Sequence, residues 1–158
     1  MSSTPIRVRM AEFAIGKSPD ILVTIGLGSC VGVAIYDRYN NIGGLIHIML
    51  PENKKGLKPA KYADTGIPLL IKKMEEEGAK RRNMVAKIAG GSHMFSNGDD
   101  NGLNVGSRNI KAVREILAEQ NIDIVGEDVG KTYGRTMEFH TEDGKVIIKS
   151  YKMGKKIL

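Results

Sequence analysis

Residues 31–50 read VGVAIYDRYNNIGGLIHIML. Val31, Val33 and Ile35 alternate with Gly32 and Ala34, the period-two pattern of a strand. Asp37-Arg38-Tyr39-Asn40-Asn41 is turn chemistry, and residues 42–50 form a second apolar run. Together they predict a β-hairpin. A turn centred on Arg38 and Tyr39 puts Cys30 directly opposite His47. A turn two residues longer puts Cys30 opposite Met49, with His47 as its diagonal neighbour on the same face. Directly opposed Cβ atoms lie about 4.5–5.5 Å apart and diagonal ones about 7–8 Å. Either register brings a thiol near an imidazole, whereas a slip of one residue sends them to opposite faces.

Outward from the hairpin, residues 6–10 alternate as Ile-Arg-Val-Arg-Met, and residues 21–25 (ILVTI) form a β-branched run that stops at Gly26-Leu27-Gly28. Thr65 is positioned to cap a helix reaching Gly78, with Ile67, Leu70, Ile71 and Met74 on one face and Pro68 in its first turn. Residues 84–89 are a strand candidate closed by Gly90-Gly91. A second helix is predicted over about 107–120, with Ile110, Val113 and Leu117 at helical spacing. Residues 122–125, 135–140 and 146–152 complete the strands, the last two joined by the turn Thr141-Glu142-Asp143-Gly144. Many strands with two helices interspersed predict a layered α/β or α+β domain.

The 158 residues fit one domain, 1–158, with a core of about 6–153. Apolar residues make up 41% and charged residues 27%, so the chain has the means to build a core. One cysteine excludes an intrachain disulfide and multi-cysteine zinc sites. Apolar runs fall short of the roughly 18 residues of a membrane span, and the first residues lack a signal-peptide block. A cytoplasmic protein without membrane insertion is expected. The formal net charge of +6 favours acidic partners. Nucleic acid is a poor candidate, since 5 Tyr, 3 Phe and no Trp offer few stacking platforms.

The chemistry concentrates around residues 24–30, Thr-Ile-Gly-Leu-Gly-Ser-Cys. Glycines before a lone cysteine leave amide groups unobstructed, and such N–H groups beside a thiolate suit an acyl-transfer oxyanion. Cys30 is then a nucleophile, with Gly28 and Ser29 as backbone support; the alternative is a cysteine that fills space in the core. His47 can take the thiol proton and later protonate an amine leaving group, or it is a hydrogen-bonded core histidine. Thr24 has a hydroxyl able to accept from the ring. The three histidines are far apart in sequence and show no metal-ligand spacing, so no metal is expected. The GLGSC run lacks the Lys-Ser/Thr of a phosphate loop.

Eight motifs in order give the chain a family likeness: Gly26-Leu-Gly-Ser-Cys30, His47-Ile-Met-Leu-Pro51, Lys61-Tyr-Ala-Asp64, Lys87-Ile-Ala-Gly-Gly91, Met94-Phe95, Asn104-Val-Gly-Ser-Arg-Asn109, Gly126-Glu-Asp128 and Gly134-Arg135. In these it resembles the CheD family of chemoreceptor glutamine deamidases. The resemblance implies a three-layer α/β sandwich with mixed β-sheets and two main helices, related to toxin deamidases. It implies hydrolysis of glutamine side chains on methyl-accepting chemotaxis receptors, and possible receptor methyl-ester hydrolysis, without a cofactor. It places Cys30 on the nucleophile, His47 on the base and Thr24 on the residue that orients the base. It also implies a CheC-type phosphatase as a partner that occupies the site as a receptor mimic. Arg108, Arg135 and Phe95 are candidates for substrate or partner contact. Gly66 and Pro68 depart from the family pattern and imply a late start for the first helix; 96–102 reads as a polar loop, and His93 carries no role.

Three function classes follow: a cysteine-dependent deamidase, which the residues favour; a regulator of a CheC-type phosphatase with vestigial catalysis; and a nucleic-acid binder, supported by charge alone.

Overall fold

The computed structural model describes residues 4–93 and 104–158. Among these residues ten strands and two α-helices follow in the order β1 (Ile6–Arg7), β2 (Phe13–Lys17), β3 (Ile21–Leu27), β4 (Val31–Asp37), β5 (Ile42–Ile48), α1 (Ala63–Glu76), β6 (Met84–Gly90), α2 (Val105–Glu119), β7 (Asp123–Val129), β8 (Arg135–His140), β9 (Val146–Ser150) and β10 (Gly154–Ile157). Among the described residues the strands form two sheets, β1-β3-β8-β9-β10 and β2-β5-β4-β6-β7. Each is mixed, because β1 runs parallel to β3 and β6 parallel to β7 while the other pairs are antiparallel. Both helices pack on the second sheet, which gives the expected three-layer α/β sandwich.

The hairpin explains why this sheet is the central layer. Every residue of β4 and β5 is buried, as happens only when both faces of a strand are covered. Val31, Val33, Ile35, Ile46 and Ile48 face α1 and α2 in one core. Ala34, Tyr36 and Leu45 face Leu22, Met137, Phe139 and Ile148 of the first sheet in another. Burying side chains of this size contributes about 1.5–3 kcal/mol each. The register is the longer-turn one, with Val31 opposite Ile48 and Gly32 opposite His47.

Several elements differ from the sequence expectation. The first strand covers only Ile6–Arg7, after which the chain leaves the first sheet and joins the second as β2, which shows no clean alternation. The first helix starts earlier than expected, at Ala63, and Pro68 lies inside it rather than in its first turn. The early start is fixed by distant partners: Ala63 N–H donates to Leu50 O and Asp64 N–H to Pro51 O. Thr65 does not cap the helix; its hydroxyl donates to Pro59 O. The second helix begins at Val105 with Asn104 as its cap, Oδ1 accepting from Ser107 N–H at 2.9 Å. The run predicted over 146–152 ends at Ser150, and the chain turns back as β10.

Candidate active site

The site lies where β3, the loop after it, and the β4–β5 hairpin meet between the two sheets. Residues 43, 45 and 47 alternate onto the face toward the first sheet: a Cβ on Gly43 would meet Phe139, and Leu45 packs in the inter-sheet core. His47 shares that face and is fully buried. Its directly opposed partner is Gly32, where a Cβ would sit 2.6 Å from Met137 Sδ. Met137 and Leu27 fill the position a side chain there would take, and the next residue along that face is Cys30. Cys30 is half-buried and packs against the inter-sheet core.

Thr24, from β3, reaches across the layer. Its hydroxyl donates to Val8 O at 2.7 Å and lies 2.7 Å from His47 Nδ1. A hydroxyl has one hydrogen, already given to Val8, so Thr24 Oγ1 accepts from His47 and the proton resides on Nδ1. Nε2 therefore carries the basic lone pair. That atom is buried and has no hydrogen-bond partner among the described residues.

The loop that carries Cys30 is shaped and pinned by backbone. A bulge interrupts the β3–β8 ladder between Thr24 and Leu27, with Gly26 at φ +78°. Gly28 N–H turns back on Gly26 O, Ser92 N–H donates to Gly28 O, and Gly91 N–H donates to Cys30 O at 2.7 Å. At Gly90, φ is +108° and a Cβ would lie 2.2 Å from Cys30 O, so the end of β6 passes directly behind the cysteine.

Burial governs the electrostatics. It pushes the Cys30 thiol above its ordinary pKa and pushes His47 from 6.5 down to about 4. At neutral pH both the Cys30 thiol and the His47 imidazole are thus uncharged. Between pH 6.5 and 4 the unfolded chain holds a proton at His47 that the folded chain does not, so stability falls as pH drops through that window. Urea unfolding at pH 7 and pH 4 is expected to show a loss of roughly 2–4 kcal/mol attributable to this residue. His47→Gln removes that part of the pH dependence; an unchanged difference would contradict the assigned burial of a neutral ring.

Other sequence candidates sit elsewhere. Arg108 is exposed on α2 and lines a groove of about 330 Å³ with Pro51, Glu52, Asp64 and Lys111. Arg135 is buried: its Nε donates to Asp128 Oδ2 at 3.1 Å, Nη1 donates to Gly130 O at 3.0 Å, and the guanidinium stacks on Tyr133. Two separate motifs, 126–128 and 134–135, are thus one buried ion pair that ties β7 to β8. Phe95 and the loop 96–102 lie outside the described residues. His93 accepts at Nδ1 from Asn104 Nδ2 at 2.7 Å. Among the described residues no group of three or more His, Cys, Asp and Glu side chains is placed to hold a metal, and no helix is long and apolar enough to cross a membrane.

Sequence reasoning gave no role to Val8, whose carbonyl settles the imidazole tautomer, or to Asn109. Asn109 is fully buried and donates to both Ser29 O and Met49 O. Its signal was a polar residue on the same helical stripe as Val113 and Leu117.

Residues 49–150 match the family described as CheD chemotactic sensory transduction. Thr24, Cys30 and His47 precede that segment, but curated relatives span the whole chain. A Clostridium botulinum protein is 48% identical over 158 residues, covering 98% of each chain. One from Caldanaerobacter subterraneus subsp. tengcongensis is 46% identical over all of both chains, and one from Clostridium acetobutylicum is 49% identical over 94% of this chain and 92% of its own. Each is named a probable chemoreceptor glutamine deamidase CheD. On this likeness, which runs through the site as well as the matched segment, the chain belongs to the CheD family.

Proposed function

We propose that the chain is a protein-glutamine deamidase of chemoreceptors that uses Cys30 as its nucleophile. The observation that carries this reading is His47: Nδ1–H is held by Thr24, and the buried Nε2 lacks a partner on the face it shares with Cys30. A neutral imidazole in that tautomer is a general base aimed at one proton.

The thiol proton passes from Cys30 Sγ to His47 Nε2 as sulfur attacks the glutamine carboxamide carbon. The oxyanion of the tetrahedral intermediate falls to the backbone of the cysteine loop, with the Ser29 amide as donor and Gly28 shaping the turn. His47 returns the proton to the nitrogen, the C–N bond breaks and ammonia leaves a thioester. His47 then activates water, which hydrolyses the thioester to glutamate and restores the thiol. A receptor methyl ester enters the same cycle with methanol as leaving group. The net charge of +6 favours encounter with an acidic receptor helix, and Arg108 beside the exposed groove is the residue proposed to meet it. A CheC-type phosphatase is proposed to occupy the Cys30 and His47 site as a receptor mimic. The complete Thr24, His47 and Cys30 set favours an enzyme over a regulator with vestigial catalysis.

Thr24→Val keeps the shape and removes both hydrogen bonds of the hydroxyl. Losing an acceptor for an imidazole that becomes charged costs about 1.5–3 kcal/mol, so kcat is expected to fall about 10–150-fold. Steady-state kinetics check this, and an unchanged kcat would remove Thr24 from the mechanism.

The reading as a whole is tested by incubating a receptor cytoplasmic fragment with the protein and mapping its peptides by mass spectrometry. Glutamines converted to glutamate with wild-type protein, and left intact with Cys30→Ala, are expected. No converted glutamine, or equal conversion by the variant, would overturn it.

A further inference from the structure

The β4–β5 ladder has its last paired residues at Val31 and Ile48, one step short of Cys30 and Met49. Beyond that point the two chains turn to other partners. Met49 N–H donates to Lys61 O at 2.8 Å, and Cys30 O accepts from Gly91 N–H at 2.7 Å. Where the next rung would lie, a side chain from another layer enters. Asn109 on α2 spends its two amide hydrogens on Ser29 O and Met49 O, each at 2.9 Å. One acceptor immediately precedes the nucleophile, and the other lies two residues beyond the base. Asn109 is fully buried and sits on the stripe of α2 that includes Gly106. A Cβ on Gly106 would lie 2.6 Å from Gly91 O, so the helix is pressed against the strand end that holds the cysteine loop.

We infer that Asn109 is a positioning residue for the reaction: by bridging Ser29 O and Met49 O, it sets the separation of Cys30 and His47 in place of a ladder rung. The inference rests on the reading of Cys30 and His47 as nucleophile and base. A ladder rung would join the two chains directly through backbone hydrogen bonds. Here a side-chain amide joins them instead, with one hydrogen bond to each chain. Its planar NH₂ fixes both carbonyls in one plane, so the nucleophile loop and the end of β5 move together. Only a donor pair fits there, since both acceptors are carbonyl oxygens. Asp, the isostere of Asn, faces them with like charge until it is protonated, and then supplies a single donor.

The test uses full-length Asn109→Ala and Asn109→Asp with the receptor fragment, assayed well below each variant's measured melting temperature. The expected result for Asn109→Ala is a fall in kcat of about 10²-fold with KM nearly unchanged, the effect of reacting groups misplaced by about 1 Å. For Asn109→Asp, kcat is expected to be low at neutral pH and to rise toward mildly acidic pH as the carboxyl gains a proton. Wild-type activity is not expected to rise in that direction. The isosteric Asp variant keeps the inference testable should the alanine variant fail to fold. A folded variant with wild-type kcat, or a kcat that falls only as the folded fraction falls, would overturn the inference. Cys30→Ala is run alongside. Activity retained by that variant would overturn the underlying reading instead, whatever the Asn109 variants do.

Discussion

Cys30→Ala is expected to lower ammonia release from a receptor fragment by about 10⁴-fold or more, the scale seen when one member of a catalytic unit is deleted. The cause is chemical. Without sulfur no thioester forms, and a buried imidazole has no nucleophile to deprotonate. The fold is expected to survive. Cys30 is half-buried, its loop is pinned through the backbone by Gly91 and Ser92, and alanine fits the same backbone. Stability measured by urea unfolding should shift by no more than about 1–2 kcal/mol. A variant that stays folded and keeps releasing ammonia would remove the cysteine from the mechanism.

His47→Ala is expected to approach the same loss. The thiol's pKa is raised by burial, so it is almost wholly protonated at neutral pH and depends on a base at the moment of attack. The two losses should not add. Cys30→Ala/His47→Ala is expected to be no less active than Cys30→Ala, because the ring has no function without the sulfur. The imidazole also fills buried space, and its removal leaves a cavity costing about 2–4 kcal/mol, so activity is compared at equal folded fraction. Thr24 Oγ1 keeps its bond to Val8 O in this variant, so the deletion leaves that hydroxyl satisfied. Additive losses in the double variant would show that the two residues act independently.

The hairpin was the most legible part of the chain, and the reason is periodicity. Alternation over residues 31–35 and a polar turn define both strands, and of the two registers that put Cys30 and His47 on one face the longer turn is present. Sequence alone leaves open a slip of one residue that would part Cys30 from His47; the observed pairing excludes it. The layers followed from two helices and many strands. Features set by distant backbone were not legible. The start of α1 depends on carbonyls of Leu50 and Pro51, which no local capping rule contains. The switch of the chain from β1 to β2 passes through Ala11 at φ +63°, a conformation its residue type does not announce. Asn109 stood in view within a quoted motif, but a buried amide has meaning only once its acceptors are known. Arg135 reads from sequence as a contact for substrate or partner and folds as an interior cation, because the packing of the two sheets brings Asp128 of β7 to it.

The pH behaviour of the pair separates two ways of making a cysteine nucleophilic. A preformed thiolate–imidazolium pair needs a lowered thiol pKa and a raised histidine pKa. Burial here moves both in the opposite directions. On the proposed mechanism the proton then moves during attack, by general-base catalysis from a neutral thiol and a neutral imidazole.

The most direct measurement is acid quench of the protein during turnover of a receptor fragment, followed by mass mapping of the enzyme. A receptor acyl group is predicted on the peptide containing Cys30, labile to hydroxylamine as a thioester is, and missing from the Cys30→Ala protein. Deamidated product made by Cys30→Ala, or the acyl group found on a different residue, would contradict the assignment.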